Sequence, residues 1–409
     1  MNPFTRQWSA VLALSGILLL AKAALAQLPD GIKSDLGPDV PAFKVRPGYR
    51  VTRALPPNTP RDVVKAIRFI QFSQDGKTLY IANNDRTDGA IYALRNPDAT
   101  GMYKTITTFV KDKRSVQGMD VHDGWLYFSQ ALEGSVSRAR DTNGDGVADD
   151  VEVIIPARTL PTGGGHPYEG LLVTDNTIYI TCSDPTNMTE EIDTPRKKIY
   201  AFDLDGKNQR VFVSGVRNTE KLRIRPGTTD IYGFDHGSDN FGKDFGEQTG
   251  RKQPITDVNP NEEFNKYVQD GFYGHPFIMG NGVPRPEFSK RPDIVDLADK
   301  TIAPEWLVHA HWAVLGWSFI NSDYFPGHKG DVFFCSHGSW NSTHPVGAVV
   351  QRLMFDQVTG KPYGSMTIVD CQGPQRRFAR PVDLAEASDG TLVFSSDEPP
   401  ALYRISKSE

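Results

Sequence analysis

The chain has 409 residues, with 45 Lys and Arg against 50 Asp and Glu and a formal net charge of −5. The two signs are interspersed, so no basic stripe marks a nucleic-acid-binding face. Three cysteines (Cys182, Cys335, Cys371) are too few for a disulfide framework and leave one bridge or buried free thiols open, and the absence of a C-x-x-C-H motif excludes covalent haem.

The first predicted element is a secretory signal over residues 1–26. Arg6 supplies the positive start, Val11 to Leu20 form a short apolar core, and Ala24 and Ala26 give the small-residue site for cleavage after Ala26. Lys22 ends the apolar run well short of the ~20 residues that a membrane anchor needs. The expected mature protein has no membrane span and is periplasmic or secreted. Residues 27–42, rich in Pro and Asp, read as an N-terminal arm, and residues 43–409 as one domain.

Beyond the arm, helical periodicity is scarce. One unit recurs: a turn, a few apolar or aromatic residues, then a small or polar stop. It reads DGKTLYIANN from Asp75, DGWLYFSQ from Asp123, DNTIYITCSD from Asp175, TTDIYGFDHG from Thr228, GDVFFCSHGS from Gly330 and DGTLVFSSDE from Asp389. Short strands follow several copies (GAIYALR from Gly89, KKIYAFD from Lys197, ALYRI from Ala401). The early copies lie about 50 residues apart, which is the spacing of propeller blades. We therefore predict an all-β, six-bladed β-propeller. The strand near Tyr49 should complete the last blade, and residues 240–261 should form a long loop in the fourth. A large β-sandwich would explain the strands but not the repeated unit.

Blade ends converge on one mouth of a propeller, so polar residues just after the repeated strand (Gln130, Asp184, His236, His337) are candidates for a shared site. The segment GGGHPYEG places three glycines before His166, a residue suited to general-base work near neutral pH. Arg217 and Asn218 open the next blade; a fixed cation and an amide suit a developing oxyanion or a carboxylated cofactor. DTNGDGVADDVE spaces Asp141, Asn143, Asp145, the Val147 carbonyl, Asp149 and Glu152 as calcium ligands, with Gly146 at the turn. Its strand-like flanks make it a hairpin loop rather than an EF-hand: a structural calcium site or a plain Asp/Gly turn.

Five segments in order resemble the soluble quinoprotein glucose dehydrogenase and sorbosone dehydrogenase family. They are GGGHPYEGLLVTDNTIYITCSD, VFVSGVRNTEKLRIRPGTTDIYGFDHG, EEFNKYVQDGFYGHP, HGSWNSTHPVGAVVQRLMF and RPVDLAEASDGTLVFSSDEPPALYRI. The resemblance runs from about Val45 to Ile405 and implies a six-bladed propeller carrying pyrroloquinoline quinone (PQQ) and calcium. It implies that His166 takes the substrate hydroxyl proton, with hydride passing to the quinone. It further implies that Arg217, Asn218 and Arg380 contact PQQ, that Gln117 lies near cofactor or substrate, and that backbone carbonyls near Gly237 and Ser238 hold the calcium. His337 falls near the family's cofactor-binding lysine. Gly165 and Ser238 stand where glucose dehydrogenases carry an acidic residue and a proline, so the expected substrate is a sugar, polyol or related aldehyde, with a separate electron acceptor. Two other readings compete. One is a metal-dependent propeller lactonase using Asp184, Asp235 and Asn218. The other is a non-catalytic propeller that binds protein or glycan.

Overall fold

The computed structural model describes residues 28–65, 67–166, 169–373 and 376–408; the predicted signal, residues 1–26, lies outside them. Six four- or five-stranded antiparallel sheets, with occasional added edge strands, form the six blades of a β-propeller. Their inner strands are Ile67–Phe72, Val116–His122, Leu171–Val173, Thr219–Ile224, Val314–Phe319 and Pro381–Glu386. These belong to blades 1 to 6 in chain order and pack side by side around the axis.

The unit that repeats in the sequence is the second strand of each blade, not the one lining the axis. Those strands are Leu79–Asn83, Trp125–Gln130, Thr177–Cys182, Ile231–Asp235, Val332–Ser336 and Leu392–Asp397. Their burial on both faces explains their apolar runs: every residue of Trp125–Gln130 is buried. Each runs antiparallel to its inner strand, so its end and the start of the inner strand share one rim. The turn chemistry follows the same logic. His122 pairs with Trp125 across Asp123 and Gly124, whose φ angles of 48° and 76° give the mirror-image turn that matches strand twist.

The polar stop of the repeated unit has a structural role that the sequence does not announce. Ser129 Oγ accepts from Gly118 N (2.9 Å) in its own blade and donates to the Glu169 carbonyl (3.1 Å) at the start of the next. Thr181 does the same with Gly170 N and the Thr219 carbonyl (both 2.7 Å). Ser395 accepts from Asp383 N (3.1 Å) and donates to the Arg68 carbonyl (2.5 Å), joining blade 6 to blade 1. A buried hydroxyl thus satisfies two backbone groups that the ladder leaves open.

Ring closure is as expected: Tyr49–Arg53 pairs with Pro400–Lys407 as an outer strand of blade 6. The arm is not detached. Asp35–Leu36 adds in parallel to that closing strand, and Lys44–Val45 just beyond the arm pairs with Pro362–Asp370 of blade 5. The predicted long loop joins the second and third strands of blade 4, Ile231–Asp235 and Glu262–Tyr267. A second insertion, residues 268–305, follows Glu262–Tyr267 and crosses to blade 3, where Gly271–Phe272 pairs in parallel with Arg210–Ser214. Cys182, Cys335 and Cys371 are buried free thiols. Among the described residues no helix is long and apolar enough to cross a membrane.

Candidate functional site

The shared rim gathers the ends of second strands and the starts of inner strands. His166 precedes the inner strand of blade 3, and its Nδ1 lies 2.7 Å from the Asp184 carbonyl at the end of that blade's second strand. A carbonyl only accepts, so Nδ1 carries the proton and Nε2 keeps its lone pair. Nε2 faces Arg217 Nη2 at 3.4 Å. Burial, with the Arg217 charge beside it, pushes His166 down to about 4, so the ring is neutral at pH 7.

Arg217, only 4% exposed, is anchored by its Nε to the Asn187 carbonyl at 2.8 Å. Among the described residues its terminal nitrogens make only long contacts, at 3.4 Å to the His236 carbonyl and to His166 Nε2, 3.5 Å to Asn187 Oδ1 and 3.7 Å to Asp239. Donors therefore remain available at the mouth. The Arg217 and Asn218 amides both donate to the Asp235 carboxylate at 2.7 Å, which fixes this blade start. The Asn218 side chain is fully used: its amide donates to Glu220 and His236 Nδ1 (both 3.1 Å) and its oxygen accepts from Ser183 (2.9 Å). His236 in turn donates from Nε2 to the Val314 carbonyl at 2.7 Å, and burial holds it neutral at about 3.

Glu220 links this group to a second arc. It is pushed up to about 7 by burial and accepts from Arg68 Nη2 at 3.4 Å. Arg68 also reaches Asp397 (3.1 Å), and Asp397 accepts from His337 Nε2 (2.9 Å). His337 Nδ1 accepts from Arg380 Nη2 at 2.9 Å, and burial keeps His337 neutral at about 4. The structure thus brings His166, Arg217, Asn218, His236, Asp184, His337 and Arg380 into one connected rim. Gln117 and Gln130 are buried in blade 2, and among the described residues no side-chain hydrogen bond joins either to this group; the Gln117 Oε1 is unpartnered.

Gly237 and Ser238 line a pocket with Arg217, Asp235, His236, Pro260, Asn261, Glu263, His275 and Arg285. Gly237 has no room for a side chain, because a Cβ would meet the Pro260 and Asn261 carbonyls at 2.6 and 2.7 Å. Main-chain oxygens therefore crowd one wall. Glu263, pushed up to about 8 by burial, shares that pocket and accepts from Gly280 N at 2.6 Å.

Among the described residues, no group of three or more His, Cys, Asp and Glu side chains is placed to hold a metal ion. The carboxylates that the lactonase reading names are hydrogen-bonded to the main chain. Asp235 is turned onto the amides of Arg217 and Asn218, and Asp184 onto the amides of Thr186 and Thr189. The predicted calcium loop, residues 141–152, lies in the outer hairpin of blade 2, with strands Ser135–Arg140 and Asp150–Ile155. Asp141 accepts from the amides of Asn143, Gly144 and Gly146, Asp145 from Val147 N, and Asp149 from Thr142. Glu152, the expected closing ligand, pairs with Arg138 at 2.7 Å instead.

Sequence reasoning missed Arg68, Glu220 and His275. Arg68 was within reach, since it opens the inner strand of blade 1 as Arg217 and Arg380 precede theirs. His275 carries no local signal, because its role depends on an insertion folding back across a blade boundary.

No family model matches the chain. A curated relative, an uncharacterized protein of Borreliella burgdorferi, is 27% identical over 217 residues, 52% of this chain and 53% of the relative. The matched region thus spans about half the length of that relative. The PQQ domain of pyranose dehydrogenase from Coprinopsis cinerea, in its holo form, is 19% identical with a TM-score of 0.72, covering 91% of this chain and 100% of that one. A calcium structure of a Trichoderma reesei carbohydrate-active enzyme of family AA12 gives 18% and 0.73, covering 92% and 100%. The PQQ-bound aldose sugar dehydrogenase of Streptomyces coelicolor gives 14% and 0.58, covering 89% and 100%. What the chain shares with these three structures is the propeller fold along nearly its whole length.

Proposed function

We propose that this protein is a PQQ- and calcium-dependent oxidoreductase, exported to the periplasm or secreted, that oxidises a sugar, polyol or related aldehyde and passes the electrons to a separate acceptor. The observation that carries the reading is His166: a neutral ring whose tautomer is set by the Asp184 carbonyl, with its free Nε2 beside Arg217 at the mouth. The motif resemblance and the shared fold with PQQ-bearing dehydrogenases support it.

The residues present fit both groups. Arg217 and Arg380, the latter held by His337, give the rim the fixed cationic donors that suit a polycarboxylate. The Pro260 and Asn261 carbonyls beside Gly237, with the Glu263 carboxyl in the same pocket, are the oxygen groups that would hold calcium. PQQ, when bound, supplies an electrophilic carbonyl that accepts hydride, polarised by the calcium ion. His166 Nε2 accepts the substrate hydroxyl proton, while the Asp184 carbonyl stabilises the Nδ1–H of the resulting imidazolium. Arg217 holds the electronegative oxygens at the mouth. The buried Lys221–Asp383 pair (2.5 Å) joins the inner strands of blades 4 and 6.

The test is reconstitution with calcium and PQQ, then a sugar, polyol and aldehyde panel with a dye acceptor. Quinone binding and turnover are expected, and His166→Ala should retain the cofactor while losing about 10²–10⁴-fold in kcat. Failure to bind PQQ at micromolar concentration would overturn the reading.

A further inference from the structure

The Asp184 carboxylate is 0% exposed and sits beside the base without facing it. Its Oδ1 accepts from Thr186 N (2.9 Å), and its Oδ2 from Thr189 N (2.9 Å), Thr189 Oγ1 (3.1 Å) and His275 Nε2 (2.8 Å). Burial alone would raise its pKa, but the His275 hydrogen bond and the two amides hold it well below the usual carboxylate range, so it stays an anion. The main chain of the same residue does different work. Its amide donates to the Arg217 carbonyl at 2.8 Å, and its carbonyl fixes His166 Nδ1 at 2.7 Å. Whatever clamps the Asp184 side chain therefore clamps both the acceptor that selects the His166 tautomer and the residue facing Nε2.

His275 is the one member of that clamp from outside the 184–189 loop. It belongs to the insertion of blade 4, and its own amide is tied to the Gly215 carbonyl at 2.9 Å, just before Arg217. Buried and held neutral at about 4, it donates from Nε2 without adding charge.

We propose that His275 is a positioning residue for the base: by holding the Asp184 carboxylate, it fixes the backbone carbonyl that keeps His166 in its Nδ1-protonated tautomer. The inference rests on the role given to His166 above. It extends that role to the blade 4 insertion, which holds the base by reaching across to blade 3. Loss of this hydrogen bond frees the carbonyl by fractions of an ångström, enough to cost a base about 10–100-fold in rate while ground-state binding is left alone.

The experiment compares wild type with His275→Leu, which cannot donate, His275→Gln, whose amide can, and Thr189→Val, which removes one donor from the same oxygen. Ring ¹⁵N spectra of histidine-labelled, cofactor-free protein report the His166 tautomer, assigned with His166→Gln. In His275→Leu the His166 nitrogens should move towards tautomer-averaged shifts; in His275→Gln they should stay near wild type, with Thr189→Val between. With calcium and PQQ added, kcat should fall about 10–100-fold in His275→Leu with KM within about twofold, and recover in His275→Gln. Unchanged His166 shifts in both His275→Leu and Thr189→Val would overturn the proposal, as would equal losses in the Leu and Gln variants. If His275→Leu does not fold, Thr189→Val decides by the same spectra. A wild type that neither binds PQQ nor turns over would defeat the proposed function but leave the tautomer result standing.

Discussion

Removing the carboxylate of Asp383 should destabilise the propeller by about 3–5 kcal/mol at pH 7. Asp383 is 0% exposed and Lys221 5%, and they meet at 2.5 Å between the inner strands of blades 6 and 4. Asp383 also accepts from Leu384 N (2.7 Å) and from Ile70 N (3.0 Å) of blade 1, so one carboxylate ties three inner strands. Burial already pushes Lys221 from its ordinary 10.5 down to about 8, even with the Asp383 charge beside it. In Asp383→Asn the ammonium loses that partner and the amine folds neutral. Deprotonating it at pH 7 against an unfolded value of 10.5 costs about 5 kcal/mol at most. With an unfolding entropy of about 0.8 kcal/mol/K for a chain this long, the melting temperature should drop by about 4–6 °C. The sign of the pH effect follows. Below 10.5 the unfolded chain binds a proton that the folded variant does not, so the variant gains about 3 kcal/mol between pH 7 and 9.5. Wild-type Lys221, at about 8, gains about 2 kcal/mol over the same range, so the deficit should be about 1 kcal/mol smaller at pH 9.5. Chemical denaturation of Asp383→Asn and of the Lys221→Met/Asp383→Asn double variant at both pH values measures this. The double variant should recover most of the loss. A deficit under 1 kcal/mol at pH 7, or one that does not shrink at pH 9.5, would refute the reasoning.

Replacing Arg217 with Met removes a charge that helps hold His166 at about 4, so the His166 pKa should rise towards 6.5, read from its ring shifts against pH; no rise would mean that burial alone sets it. His166, His236, His275 and His337 are all held below the ordinary value of 6.5, at about 4, 3, 4 and 4. Between those values and 6.5 the unfolded chain binds more protons, so stability should be lost by several kcal/mol as pH falls from about 6.5 to 4. A flat denaturation profile over that window contradicts the neutral assignments. Thr181→Val removes the hydroxyl that serves both Gly170 N and the Thr219 carbonyl, and should cost about 1–3 kcal/mol by denaturant titration. A loss below a few tenths would show that those backbone groups find other partners.

The sequence by itself determined the architecture. Six turn-strand-stop units recur at blade spacing, and a short apolar run closed by turn signals is local information. His166, Arg217, Asn218 and His337 were legible from their places at blade starts and ends, and Arg380 only through the family resemblance. Only the tertiary structure decided how they are used. The repeated strand proved to be second from the axis, and its polar stop an inter-blade bridge through Ser129, Thr181 and Ser395. The hairpin of residues 141–152 has ideal ligand spacing, yet Arg138 takes Glu152, a contact set by strand pairing and not by spacing. His275 reaches Asp184 across 91 positions because an insertion of blade 4 adds a strand to blade 3. Spacing along the chain fixes which groups can sit near a rim; the direction of each side chain, and hence its protonation state and partner, is set by neighbours from other blades.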